Sequence, residues 1–411
     1  MPKLRPLPYP LVIFAAVMLV NGPSLRGQEV LEKIDESLSW TALAGSIQAD
    51  LSFLQDTEFY IAESQPQGLL DISDNEFLQP RLAAFLDVSA GECWTLHAQA
   101  RLDRGFDPGF APDGELRLDE YYLQWRPLAD DRMLWRVGKF ATVFGAYPRR
   151  QLSWDNPFIT APAAYEDQLS VSDDGRPGSV ESFLQRRFLP ANKRTWLPII
   201  WGPAYITGAS VSGRIDKFDY AFEVKTAALS AQPNRWDGIA EGVDAANLAG
   251  RLGWRPAEEW TLGASFAYGP YLNPDTAIGL PTGSSWRDYD QTTLGIDAAY
   301  AHGHWQCWAE LIGAEFDVPN VGRMRALSAL AEAKYKITAT TWASLRWNQA
   351  FFDEVGAANT QWGSDRWRLD LAVGHRFSRH VQAKIQYSFA ERTGSDPEGD
   401  HLVAAQLTLR F

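Results

Sequence analysis

The sequence predicts an all-β fold: a transmembrane antiparallel β-barrel of about sixteen strands with a long in-folded loop. Three observations predict it. Apolar and polar residues alternate along most of the chain, tight turns alternate with longer connections, and tryptophan recurs at the tight turns. The alternation has a period of two, which belongs to strands with two different faces and not to helices.

The chain begins with a stretch that reads as a secretory signal over residues 1–27. Lys3 and Arg5 precede a short apolar run at 11–20, and the small residues Gly22, Ser24 and Gly27 follow. That run is too short to span a bilayer as a helix. Residues 28–39 form a polar periplasmic lead, and residues 40–411 carry the barrel pattern. Ile47, Ala49, Leu51 and Phe53 oppose Gln48, Asp50 and Ser52; Phe218, Tyr220, Phe222 and Val224 oppose Asp219, Glu223 and Lys225. The last strand alternates Val403, Ala405, Leu407 and Leu409 with Ala404, Gln406, Thr408 and Arg410, and ends on Phe411. One stretch breaks the rule: Lys139 shares parity with Trp135 and Val137, which a bulge or a locally shifted membrane boundary would explain.

Short connections are expected at 89–92, 127–132, 215–217, 255–259, 301–304, 338–341 and 378–380. Longer ones fall between them, 317–322 among them. Tight turns on one side and loops on the other are what a membrane barrel requires. Trp125, Trp254, Trp260, Trp305 and Trp342 stand at or beside the short turns, where an interfacial girdle belongs. An open sheet in lipid would leave unpaired backbone, so the last strand must pair with the first, near 40–53.

Composition narrows the function. The 411 residues carry a net charge of −13, which argues against nucleic acid as a partner. Mean hydropathy is −0.26, a soluble-looking value that a barrel reaches because half of each strand faces water. Trp numbers 17 against 4 Met, as suits interfacial belts and an outer-membrane lipid environment. Cys93 and Cys307 show no metal-ligand spacing, and nothing in the sequence asks for a cofactor.

A barrel of this size encloses an aqueous channel with a polar lumen. Inward parity selects Arg81, Arg101, Lys225, Arg251, Arg346, Arg368 and Lys384, with Asp50, Glu223 and Asp297, as pore-lining residues. The connection at 142–204 is far longer than an ordinary loop. It holds Trp154, Phe158, Tyr165, Phe183, Trp196 and Trp201, and prolines that forbid a regular central strand. Irregular backbone at membrane depth is tolerated inside a lumen. Arg149, Arg150, Arg186 and Arg187 are grouped against Asp155, Glu166 and Asp167, charges that would create a transverse field at a constriction. The alternative is a surface lid with solvated charges.

The stretch at 116–147 holds Asp119, Glu120 and Tyr121, then Val137, Gly138, Lys139 and Phe140, then Gly145. It resembles the porin superfamily that includes the phosphate-selective porins. The resemblance implies a sixteen-stranded, often trimeric, passive channel for small hydrophilic solutes. The dense lysine and arginine ladder of a phosphate-selective member is not present. Phe411 resembles the signal read by the outer-membrane barrel-assembly machinery. Two other classes stay open: a barrel that docks or sheathes an envelope partner, and a barrel enzyme. For the enzyme, the six histidines show no nucleophile–base pairing at useful spacing.

Overall fold

The computed structural model describes residues 37–63, 68, 76–103, 114–174, 176–188, 195–232, 245–274, 280–356, 359–392 and 399–411. The expected signal and most of the expected lead lie outside the described residues. The strands are β1 (Ser39–Ala42), β2 (Ile47–Ala62), β3 (Glu76–Ala90), β4 (Trp94–Asp103), β5 (Glu115–Trp125), β6 (Leu134–Phe140), β7 (Ile206–Ile215), β8 (Phe218–Lys225), β9 (Asn247–Trp254) and β10 (Trp260–Pro270). They continue with β11 (Asp290–His302), β12 (Trp305–Val318), β13 (Gly322–Lys336), β14 (Thr341–Phe352), β15 (Glu354–Val355), β16 (Thr360–Gln361), β17 (Arg366–Arg376), β18 (Val381–Arg392) and β19 (Asp400–Arg410).

Sixteen of these, β2–β14 and β17–β19, form one antiparallel sheet that closes when β19 pairs with β2. Closure removes both edges, so no ladder is left open along the seam. The seam runs from Leu402↔Ala62 to Arg410↔Leu54, higher on β2 than the sequence suggested. Below it, β1 pairs Ser39 with Asp50 and Ala42 with Ile47, covering the part of β2 that β19 does not reach.

The two faces of the wall differ as the alternation requires. On β14, Leu345, Trp347 and Phe351 are exposed and point outward, while Arg346 and Asn348 are buried. Outward aromatics gather at the tight-turn end. Trp94 stacks on Trp125 at 5.7 Å, Trp260 meets Tyr300 at 4.8 Å, and Trp305 meets Tyr335 at 4.8 Å. Trp342 departs from the expected girdle. It sits one residue out of phase, is buried, and carries the Lys334 ammonium 4.5 Å from its ring.

Turn lengths follow the short–long pattern with one exception. β12 and β13 are joined by a tight turn at 319–321, with Asn320 at φ 63° and Gly322 at φ 102° supplying left-handed backbone. Asn320 and Gly322, three and five residues after Asp317, make the turn, where the sequence reading expected a longer loop.

The anomaly at Lys139 traces to its neighbour strand. Gln99 faces Glu120 and Ala100 faces Leu118, so Asp119 is an extra residue in β5. This bulge leaves Arg117 and Asp119 inward above it and turns Glu120 and Tyr122 inward below it. β5 outruns β6, whose pairing starts at Tyr121↔Lys139. The Lys139 ammonium donates to the free Leu118 carbonyl at 2.8 Å, filling that edge. Gly138 is required beside it: at φ +138°, a Cβ would strike the Tyr121 carbonyl.

The largest apolar cluster does not lie between two sheets. It joins Phe144, Tyr165, Leu197, Ile200 and Trp201 of the long connection to Ile312, Phe316, Met324 and Phe352 of the wall.

Candidate functional site

The long connection leaves β6 at Ala141 and returns at β7. Its short helical pieces, Ala163–Glu166 and Val180–Gln185, are bounded by prolines or capped; Ser179 accepts from the Ser182 N–H. Prolines keep the rest irregular, so many of its N–H and C=O groups need partners from elsewhere. Wall side chains supply them.

At its start, the Glu223 carboxylate accepts from the Thr142 hydroxyl at 2.6 Å and the Val143 N–H at 3.1 Å. Ser265 accepts the Gly145 N–H, and Glu310 accepts the N–H groups of Ala146 and Tyr147 and the Tyr165 hydroxyl. A side chain at Gly145 would collide with that hydroxyl. Further along, Lys384 donates to the carbonyls of Ser153, Asn156 and Phe158 at 2.8, 3.0 and 3.0 Å. Gln386 accepts the Ile159 N–H at 2.6 Å, Arg346 donates to both oxygens of Thr160, and Arg368 donates to the Ala161 carbonyl at 2.5 Å.

Ion pairs complete the contact. Arg368 meets Glu166 at 2.6 Å and Asp167 at 3.6 Å, Arg366 meets Asp167 at 3.8 Å, and Arg150 pairs with Glu332. Arg346, fully buried, joins Asp370 at 2.6 Å and Glu332 at 3.5 Å. Burial pushes the Glu166 carboxyl up, against the opposing pull of Arg368. Burial likewise raises the Tyr165 hydroxyl, and the Glu310 carboxylate beside it adds to the rise.

The wall formed by β2–β5 is built differently. Arg81 reaches Glu58 at 3.2 Å and Asp56 at 3.9 Å; Arg101 reaches Asp119 at 2.6 Å and Asp103 at 3.4 Å; Arg117 reaches Asp103 at 3.3 Å and Asp119 at 3.6 Å. These guanidiniums keep 11–13 % of their side-chain surface exposed, against 0–2 % for the carboxylates. The cations therefore stand in front and the anions behind.

The residues selected from sequence are distributed over both regions. Arg346, Arg368, Lys384 and Glu223 hold the connection, while Arg81 and Arg101 belong to the β2–β5 ion-pair ladder. Lys225 donates to the Phe140 carbonyl at 2.6 Å, and Arg251 bridges Asp297 at 2.6 Å and Asp219 at 3.0 Å. Asp50 accepts from the Ser39 hydroxyl near the tight-turn end. Of the connection's own charges, Arg149 stays half exposed, 4.0 Å from Asp219. Asp155 is exposed; Arg186 donates to the Ser170 carbonyl and Arg187 to the Gln361 carbonyl. Phe411 exchanges backbone hydrogen bonds with Phe53 and stacks on His380 at 5.6 Å. Sequence reasoning missed Arg117, Asp119 and Glu310. Parity alone could have found Arg117, because it alternates with the outward Leu116 and Leu118.

No protein-family model matches this sequence, and no curated protein aligns with it at a significant level. Solved structures do share its shape. A loop-deletion mutant of OmpT, an outer membrane protein of Vibrio cholerae, superposes with a TM-score of 0.56 at 11% identity, covering 89% of this chain and 100% of that one. The outer membrane channel DcaP of Acinetobacter baumannii gives 0.56 at 10% identity over 90% of this chain and 99% of its own. An anion-selective porin from Comamonas acidovorans gives 0.54 at 10% identity, over 89% and 100%. At these identities the likeness is one of fold: this chain's closed antiparallel barrel shares its shape with outer-membrane proteins, porins among them.

Proposed function

We propose that the protein is an outer-membrane porin through which small hydrophilic or charged solutes diffuse passively. The observation that carries this reading is the contrast between an apolar outward face and an inner face of paired charges, with the 142–204 connection hydrogen-bonded to that inner face. The connection is a constriction that folds inward and narrows the bore. Glu166 and Asp167 are paired with Arg368 and Arg366, so the field at the narrowing comes from the β2–β5 ladder, whose arginines stand in front of its carboxylates. Arg81, Arg101, Lys225, Arg251, Arg346, Arg368, Lys384, Asp50, Glu223 and Asp297 line or support the pore.

The mature chain reaches the outer membrane through a cleaved signal at 1–27, is assembled by the barrel machinery through Phe411, and functions as a homotrimer. Purified protein in planar bilayers tests the proposal. Stable ohmic steps are expected. Silent bilayers at every voltage, with folded protein inserted, would remove the channel reading.

A further inference from the structure

Among the described residues, His97 is the one histidine whose ring lies on the inner face of a wall strand. His375 and His401 point outward, and His302, His304 and His380 stand at turns. His97 on β4 sits between two carboxylates from neighbouring strands. Its Nδ1 lies 2.7 Å from Asp87 on β3, and its Nε2 lies 3.8 Å from Glu120 on β5. The β5 bulge is what turns Glu120 to this side. Tyr122 stacks on the imidazole at 4.9 Å, and Phe85 closes the other flank at 6.5 Å.

The charged and titratable groups around the ring come from five strands: Asp50 on β2, opposite Asp87; Asp87 itself; Glu120 and Tyr122 on β5; Arg136 on β6, 4.9 Å from the Tyr122 ring; and Lys225 on β8. Asp87 is 48 % exposed and His97 13 %, so water and protons reach the cluster. A neutral imidazole serves one carboxylate as a hydrogen-bond donor and leaves the other without a proton from it. A protonated imidazole donates to Asp87 and pairs by charge with Glu120 at 3.8 Å.

We propose that His97 gives the lumen a proton-dependent charge, so that selectivity depends on pH. The inference rests on the channel reading above. A protonated His97 adds one positive charge to the cluster; with a neutral imidazole the Asp50–Asp87–Glu120 row dominates and cations are favoured. Glu120 also accepts the Ala141 N–H at 2.8 Å, which ties the cluster to the root of the long connection.

The test is the reversal potential of the wild-type channel in a potassium chloride gradient, measured between about pH 5 and about pH 8. The potassium-to-chloride permeability ratio is expected to rise about twofold across that range, as a one-proton step. His97→Gln removes the step. Asp87→Asn keeps it but moves its midpoint to lower pH, because a partner of the imidazolium is gone; this second variant serves if His97→Gln does not fold. Current with no pH step, a step that survives His97→Gln, or an unmoved midpoint in Asp87→Asn overturns this inference and leaves the channel reading intact. A wild-type protein that conducts at no pH overturns both.

Discussion

Two stretches of the same barrel wall use similar residues for opposite ends. Along β12–β18 the inward charges bond to another piece of chain: Lys384 to three carbonyls, Arg346 to Thr160, Arg368 to Glu166. Along β2–β5 they bond to one another, and Arg81, Arg101 and Arg117 keep a surface toward the open side. Among the described residues, an inward arginine is thus a structural fastener where it bonds to the long connection and a member of a charge ladder where it bonds to wall carboxylates. Residue type and strand parity do not separate the two cases; the bonding partner does.

The sharpest way to break the comparison is to remove the cover. Replacing residues 142–204 with a short linker should raise single-channel conductance about twofold or more, since the bare barrel has the bore of an open porin. Unchanged current would show that the connection does not set the bore. Next is Arg346→Ala. It leaves Asp370 with Arg368 alone and Glu332 with Arg150 alone, and drops two donors to Thr160, at a cost of about 3 kcal/mol, read as earlier unfolding in denaturant. A loss under 1 kcal/mol would assign the fastening elsewhere. Lys384→Met keeps the stem and drops three donors, and should cost about 1–3 kcal/mol by the same measurement. The smallest stability effect belongs to the other wall. Arg81→Gln with Arg117→Gln should move the reversal potential toward cations by about twofold in permeability ratio and leave conductance nearly unchanged. Equal unfolding losses on both walls would erase the distinction.

Much of the barrel was legible because period-two alternation reports which face a residue takes. Leu345 and Arg346 separate on that rule alone, and the seam between the first and last strands follows from the cost of open edges in lipid. What alternation does not carry is height and partner. Nothing in the sequence near Glu166 points to Arg368, some two hundred residues later. Trp342 beside a turn looked like the other turn tryptophans, yet a one-residue difference in phase places it inside. Asp119 is marked only by a change of beat. An extra residue changes parity without changing composition, and its trace in β5 is that the outward apolar positions move from Leu116 and Leu118 to Leu123 and Trp125.

That supernumerary aspartate makes β5 a strand written in two frames. Upstream, odd numbers face the interior; downstream, even numbers do. Removing Asp119 alone would join the two frames into one regular strand, with Arg117 and Glu120 inward and Leu118 and Tyr121 outward, and would take a carboxylate from Arg101 and Arg117. A residue removed from a regular strand turns every side chain beyond it over; here the surplus residue is what a deletion would absorb.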